Sequence, residues 1–323
     1  KTKPVVGEAT VRRLFTEAGI SDVRNVSQLK NGEFSAVCSV DTPKRGYVLK
    51  VSPQGDEHCM TYERGMLSAE VFWYCRIREQ TDIRVPEILL FDDSLALLPA
   101  AYCIMERLEG ETLPKACLTA KERAEIPARL AGMLAKIHAV SNDRFGYEQG
   151  RSYTTWGEAI RGFVAQALED CVRKRRRSRR GERLLRRIDE HRATLEGVSP
   201  VLVNFDLWPS NVIVRREGGL LQYAWIDPER SFWGDPVVDF VCLAFSRPLS
   251  SAAETIAAYN AATKEPIEIT RDTCARYAIG QGYLALIMET EKYYRYSPLQ
   301  FGWWRNVLAA HLLYRAAFRE LES

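Results

Sequence analysis

The sequence contains no long apolar run, no cysteine pair at metal-binding spacing and almost no net charge. Nothing approaches the roughly 20 consecutive apolar residues that cross a bilayer, so no membrane partner is expected. The eight cysteines (Cys38, Cys59, Cys75, Cys103, Cys117, Cys171, Cys242, Cys274) are scattered, without a CxxC pair. That argues against a zinc site and against a disulfide framework, and a reducing cytoplasm is the expected setting. The opening KTKPVVGEATVRRLF reads as a polar lead into an amphipathic helix rather than as a signal peptide. A formal net charge of +3 is too small to imply nucleic acid. It conceals one dense cluster, CVRKRRRSRRGERLLRRIDEH, from Cys171 to His191. Leu184, Leu185 and Ile188 keep helical spacing there while arginines cover the rest, as on a solvated helix face. No aromatic is interleaved to stack a base, which argues against RNA or DNA as a partner.

Against those absences, 46% of the 323 residues are hydrophobic, enough for a sizeable core. The first third reads as a mostly antiparallel sheet crossed by one long helix. FSAVCSV and YVLKV alternate with period two around the turn DTPKRG. Glu57 to Glu79 is periodic and reads as the helix. IRVPEILLFDD and ALLPAAYCIMERL read as two further strands. After Leu108 the texture turns helical, with ARLAGMLAKIHAV a strong amphipathic stretch. The segments VLVNFDLWPSNVIV and LLQYAWID interrupt it as strands, joined by the hairpin turn REGG. The organisation expected is an α+β chain with a β-rich lobe over 1–108 and a mainly helical lobe over 109–323.

The hairpin carries the chemistry. Asp206 and Asn211 fall in the loop that precedes it, and Asp227 ends its second strand. Carboxylate and amide oxygens at one sheet edge suit Mg²⁺, which keeps room for phosphate oxygens. Asn211 and Asp227 are the candidate ligands, and Asp206 is left to accept a proton from a substrate hydroxyl. Phosphoryl transfer is the reaction such a set serves. Each residue alone has a plainer reading as a turn former; the ordered spacing is what singles them out.

NFDLWPSN, IDPE and GDPVVDF, in that order, resemble the signature of the aminoglycoside phosphotransferase family, small-molecule kinases of the protein-kinase-like fold. LAKIHAVSNDRFG and YCIMERLEGETL resemble the family's helix before its insert and its hinge. The resemblance implies a two-lobed fold with Asp206 as catalytic base and Asn211 and Asp227 on Mg²⁺. It implies Asp235 and Asp239 as supports of the loop. Lys50 corresponds to the strand lysine that contacts the nucleotide phosphates, and Glu70 to its ion-pair partner, with Glu63 as the competing candidate. The loop LKNGEFSAV, with Gly32 and Ser35, would lie over the phosphates. Met105 to Leu108, including Glu106 and Leu108, would face the purine through backbone groups.

The departures are Asn204 and Phe205, where His and Gly are usual; the Asn204 amide is expected to donate a bracing hydrogen bond. His138 reads as a structural histidine. The acceptor candidates are the carboxylates Glu158, Glu229, Glu289 and Glu291 for a polycation, or Trp156, Tyr293 and Trp303 for a ring-bearing compound. The implied activity uses ATP or GTP to phosphorylate a hydroxyl of a small molecule, an aminoglycoside or other antibiotic in the leading case. Alternatives are a choline, homoserine or sugar-type kinase, and a silent pseudokinase. A protein kinase is disfavoured, because Pro228 and Glu229 follow Asp227 and no A-P-E segment follows.

Overall fold

The computed structural model describes residues 4, 6–29, 34–55 and 57–322. In chain order they form α1 (Glu8–Glu17), β1 (Asn25–Leu29), β2 (Ala36–Asp41), β3 (Gly46–Val51), α2 (Met66–Gln80), β4 (Ile88–Asp92) and β5 (Tyr102–Glu106). Next come β6 (Glu111–Thr112), α3 (Ala120–His138), α4 (Trp156–Arg173), α5 (Arg179–Glu190) and β7 (Val201–Val203). The hairpin β8 (Val212–Glu217) and β9 (Leu220–Trp225) follows, then β10 (Phe232–Gly234). The chain closes on α6 (Phe240–Leu243), α7 (Ala253–Asn260), α8 (Arg271–Arg295) and α9 (Phe301–Leu321). This is an α+β chain, as its sequence texture implies.

One compact unit comprises residues 1–59, 63–116 and 209–229. Its five-stranded antiparallel sheet runs β1-β2-β3-β5-β4. Alternation along β3 sends Tyr47, Leu49 and Val51 into an apolar core with Val11, Leu14 and Phe15 of α1. Lys50, one position out of phase, therefore points to the opposite face. A smaller sheet, β6-β8-β9, completes the unit. The β8–β9 turn falls on Gly218 and Gly219, whose φ values of +56 and +82 are those of a tight two-residue hairpin turn. The second unit comprises 60–62, 117–208 and 230–323. In it the almost wholly buried α8 packs against α4, α5 and α9, and β7 pairs with β10. An aromatic cluster of Trp156, Phe163, Phe205, Phe232 and Tyr283 fills the space beside α4.

Two sequence expectations are corrected here. The helix expected over Glu57 to Glu79 starts only at Met66, because Gly65 takes φ +69 and breaks the continuation. The division of the chain also differs from a cut at residue 108. Residues up to 116 and the hairpin segment 209–229 belong with the first unit, because β6 is hydrogen-bonded to β8.

The arginine cluster is a paired surface. Arg177 meets Glu182, Arg187 meets Glu190 and Glu322, and Arg183 meets Glu322. Arg180 and Arg183 also lie over the rings of Tyr314 and Phe318, at 4.7 and 4.3 Å.

Candidate active site

In the first unit, four charged groups gather on the face of the sheet that α2 covers. Lys50 Nζ lies 2.7 Å from Glu70 Oε2, 2.7 Å from Asp227 Oδ1 and 3.0 Å from Glu229 Oε2. Glu70, not Glu63, therefore supplies the helix carboxylate; Glu63 closes the 3-10 turn ahead of α2. One ammonium faces three carboxylates. Burial alone lowers the Lys50 pKa, but Asp227, Glu229 and Glu70 more than offset it and hold the lysine well above its ordinary value. Burial raises Glu70; Lys50 opposes that, Asp227 and Glu229 reinforce it, and the carboxyl reaches about 8.

The hairpin places the metal candidates. Val212 is in register with Trp225, and the Ile226 N–H donates to the Asn211 carbonyl at 2.9 Å. Asn211 and Asp227 thus flank the same end of β8–β9. Asp227 is held with φ +59 immediately before Pro228, and its N–H donates to the buried Tyr74 hydroxyl at 2.9 Å. Such backbone is costly for a non-glycine residue by roughly 1–3 kcal/mol and clusters at functional positions. The donors there, an amide oxygen and carboxylates with Glu70, Asp227 and Glu229 close together, fit a hard cation. They do not fit a soft one, since no cysteine or histidine joins the group among the described residues.

In the second unit, Asp206 sits on the loop between β7 and the hairpin segment. Asp239 braces that loop: its carboxylate accepts from Asn204 N–H at 2.8 Å and Phe205 N–H at 2.5 Å. His138 is buried and bridges Asp239 and the Tyr259 hydroxyl, each at 2.9 Å, as a structural histidine does. Asp235 caps the turn Pro236–Asp239 and pairs with Arg276. Asn204 works differently from expectation: its side-chain oxygen accepts from Asp206 N–H at 3.1 Å rather than its amide donating. Phe205 takes φ +56, and its ring stacks on Tyr283 with centroids 5.6 Å apart. Asp206 Oδ1 accepts from Trp208 Nε1 at 3.0 Å, and Arg230 Nε lies 3.8 Å from it.

The remaining candidates divide. Glu106 spends its side chain on Arg84 and on Glu87 N–H. Its own N–H goes to the Glu87 carbonyl and that of Arg107 to Gly46. Only Leu108 of these three keeps its N–H outside those bonds. Ser35 is buried beside β2; Gly32 lies outside the described residues. Trp156 is corrected from an acceptor wall to a core residue, 1% exposed and stacked on Phe232. Glu158 closes a capping box with Thr155 at the start of α4. Glu229 lies on Lys50, and Glu291 lies between Arg230 and Arg295. Tyr293 and Trp303 meet edge to face, 5.4 Å apart. Sequence reading missed Trp208, Arg230, Tyr62 and Tyr74, although Trp208 lies inside NFDLWPSN and Arg230 directly follows IDPE.

A kinase-like α+β fold with a strand lysine held by a helix carboxylate, and oxygen-bearing side chains at a hairpin end, is an arrangement suited to phosphoryl transfer. The chain belongs to the phosphotransferase enzyme family whose model matches residues 25–275, and it is a small-molecule kinase. No curated protein matches it. A structure from Haemophilus somnus 129PT described as a fructosamine-3-kinase is 16% identical with a TM-score of 0.66, over 95% of this chain and 96% of that one. A protein from Ralstonia eutropha JMP134 described as an aminoglycoside phosphotransferase is 15% identical with a TM-score of 0.66, over 97% and 98%. The aminoglycoside phosphotransferase APH(4)-Ia, in a ternary complex with AMP-PNP and hygromycin B, is 22% identical with a TM-score of 0.62, over 97% and 98%. At these identities the likeness is one of fold.

Proposed function

We propose that the protein transfers the γ-phosphoryl group of ATP, held with Mg²⁺, to a hydroxyl of a small molecule. The observation that carries this reading is the buried Lys50–Glu70 pair at 2.7 Å, with Asp227 on the same ammonium. Lys50 binds the nucleotide phosphates and Glu70 orients it. Asn211 and Asp227 would hold Mg²⁺, which when bound offsets charge on the phosphates. Leu108 N–H and neighbouring backbone meet the purine, and Ser35 lies toward the phosphates. Asp206 accepts the hydroxyl proton, its carboxylate oriented by Trp208 Nε1 and its loop fixed by Asp239. Retention of Lys50, Glu70, Asp206, Asn211 and Asp227 favours turnover over a silent nucleotide-binding role.

An antibiotic acceptor, as in the neighbour holding hygromycin B, and a metabolite acceptor both use this chemistry; the surroundings of Asp206 separate them. The test is acceptor-dependent release of nucleoside diphosphate across a panel of hydroxyl-bearing antibiotics and amino alcohols. Release that persists without Mg²⁺, or that Asp206→Asn leaves unchanged, would refute the reading.

A further inference from the structure

The surroundings of Asp206 are balanced in charge, and the carboxylates that a polycation would need are engaged elsewhere. Arg230, only 13% exposed at its side chain, lies 3.8 Å from Asp206 Oδ1 and 2.6 Å from Glu291 Oε1. Glu291 is itself buried and meets Arg295 at 3.3 Å and the Tyr62 hydroxyl at 2.9 Å. Burial raises the Glu291 pKa, but Arg230 and Arg295 outweigh it and hold the carboxyl below its ordinary value. Two carboxylates and two guanidiniums thus cancel around the catalytic base. The other acidic candidates are also committed. Glu289 pairs with Arg180 at 3.6 Å and accepts from the buried Ser178 hydroxyl at 2.7 Å, and Glu158 is held in the capping box of α4. A site for a cluster of ammonium groups needs uncompensated negative charge, and a resident guanidinium beside the base repels it. What flanks Asp206 instead is aromatic. Trp208 donates to it, and Phe245 lies 5.7 Å from the Trp208 ring, both half-buried.

We infer that the phosphoryl acceptor is an uncharged, ring-bearing alcohol rather than a polycationic aminoglycoside, and that Arg230 sets this selectivity. The inference rests on the phosphotransfer reading. The test uses the full chain with Mg²⁺ and a non-hydrolysable ATP analogue, and two probes with the same rings and hydroxyls: kanamycin and its per-N-acetylated, uncharged derivative. Binding is measured calorimetrically at low and high salt. Kanamycin is expected to bind no more tightly than the acetylated probe, with a salt response under roughly twofold. A kanamycin preference above about threefold that salt abolishes overturns the inference. Arg230→Gln should leave Asp206 and Glu291 in negative excess and tighten kanamycin binding about tenfold, with no gain for the acetylated probe. Arg230→Lys, which keeps the charge, should show no such gain and controls for folding. Absence of the gain in a folded Arg230→Gln protein also overturns it. Failure of the phosphotransfer reading would show separately, as Mg²⁺-dependent nucleotide hydrolysis that is indifferent to Asp206→Asn.

Discussion

Glu70→Gln tests the electrostatics of the Lys50 cluster directly. In the folded protein burial, with the repulsion of Asp227 and Glu229, carries the Glu70 carboxyl from its ordinary 4.5 to about 8. The folded state thus keeps a proton between those values that the unfolded chain releases. Its contribution to stability is fully present below pH 4.5 and is lost as pH rises through 8. At about 1.4 kcal/mol for each tenfold change in proton affinity, the full loss is on the order of 5 kcal/mol. Glutamine retains the shape and a hydrogen-bonding oxygen but does not titrate. The difference in unfolding free energy between wild type and Glu70→Gln should therefore change with pH, moving against wild type from pH 5 to pH 8. Urea unfolding of both proteins in metal-free buffer at half-unit pH intervals measures that difference, in which the contributions of groups remote from the Lys50 cluster cancel. A difference that stays flat from pH 5 to pH 8 refutes the reasoning. It would mean that Lys50 alone holds Glu70 ionised, against two neighbouring carboxylates.

Asp206→Asn should leave nucleotide affinity nearly intact while acceptor-dependent turnover falls roughly a hundredfold or more, a split that steady-state kinetics with nucleotide titration resolves. Asp227→Asn keeps a side chain tolerant of positive φ but removes the charge, so Mg²⁺-nucleotide binding should weaken at least about tenfold by calorimetry, with little change in thermal stability. Phe205→Gly puts the usual family residue at φ +56 yet removes a ring stacked on Tyr283 and packed on Phe232. The lost packing should outweigh the relieved backbone and destabilise the fold by about 3 kcal/mol, read by chemical denaturation.

The parts of the site legible in the sequence are those carried by local geometry. The D-x-x-x-x-N spacing, the Gly218-Gly219 turn and the phase of Lys50 against Leu49 are short-range properties of strands and turns, and each appears in the structure. The helix pairing of Lys50 needed a choice between Glu63 and Glu70, which Gly65 settles by deferring the helix to Met66. What the sequence did not disclose is long-range. Arg230 and Glu291 are 61 residues apart, and nothing local announces that the second is spent on the first. Trp156 looked available because a tryptophan at a helix start has no periodic signature of burial. Glu158 is the exception, because Thr155-x-x-Glu158 is a capping-box pattern whose reciprocal hydrogen bonds already assign the carboxylate to α4.

The replacement of His and Gly by Asn204 and Phe205 is answered by the same long-range logic. The residue before Asp206 must present its backbone in a left-handed turn, and Phe205 does so at φ +56. A side chain at that angle is disfavoured unless packing holds it, and this ring is buried between Phe232 and Tyr283. The loop's two leading N–H groups are not left to its own side chains; both go to Asp239, whose carboxylate is fixed in turn by His138 and, through it, Tyr259. Asn204 then needs only to close the last turn, its side-chain oxygen accepting Asp206 N–H. Substitution at the two signature positions therefore leaves the placement of Asp206 in the hands of α3, α7 and the GDPVVDF segment. That is why a chain that departs from the signature beside Asp206 still holds the loop that carries this carboxylate, the base of the proposed reaction.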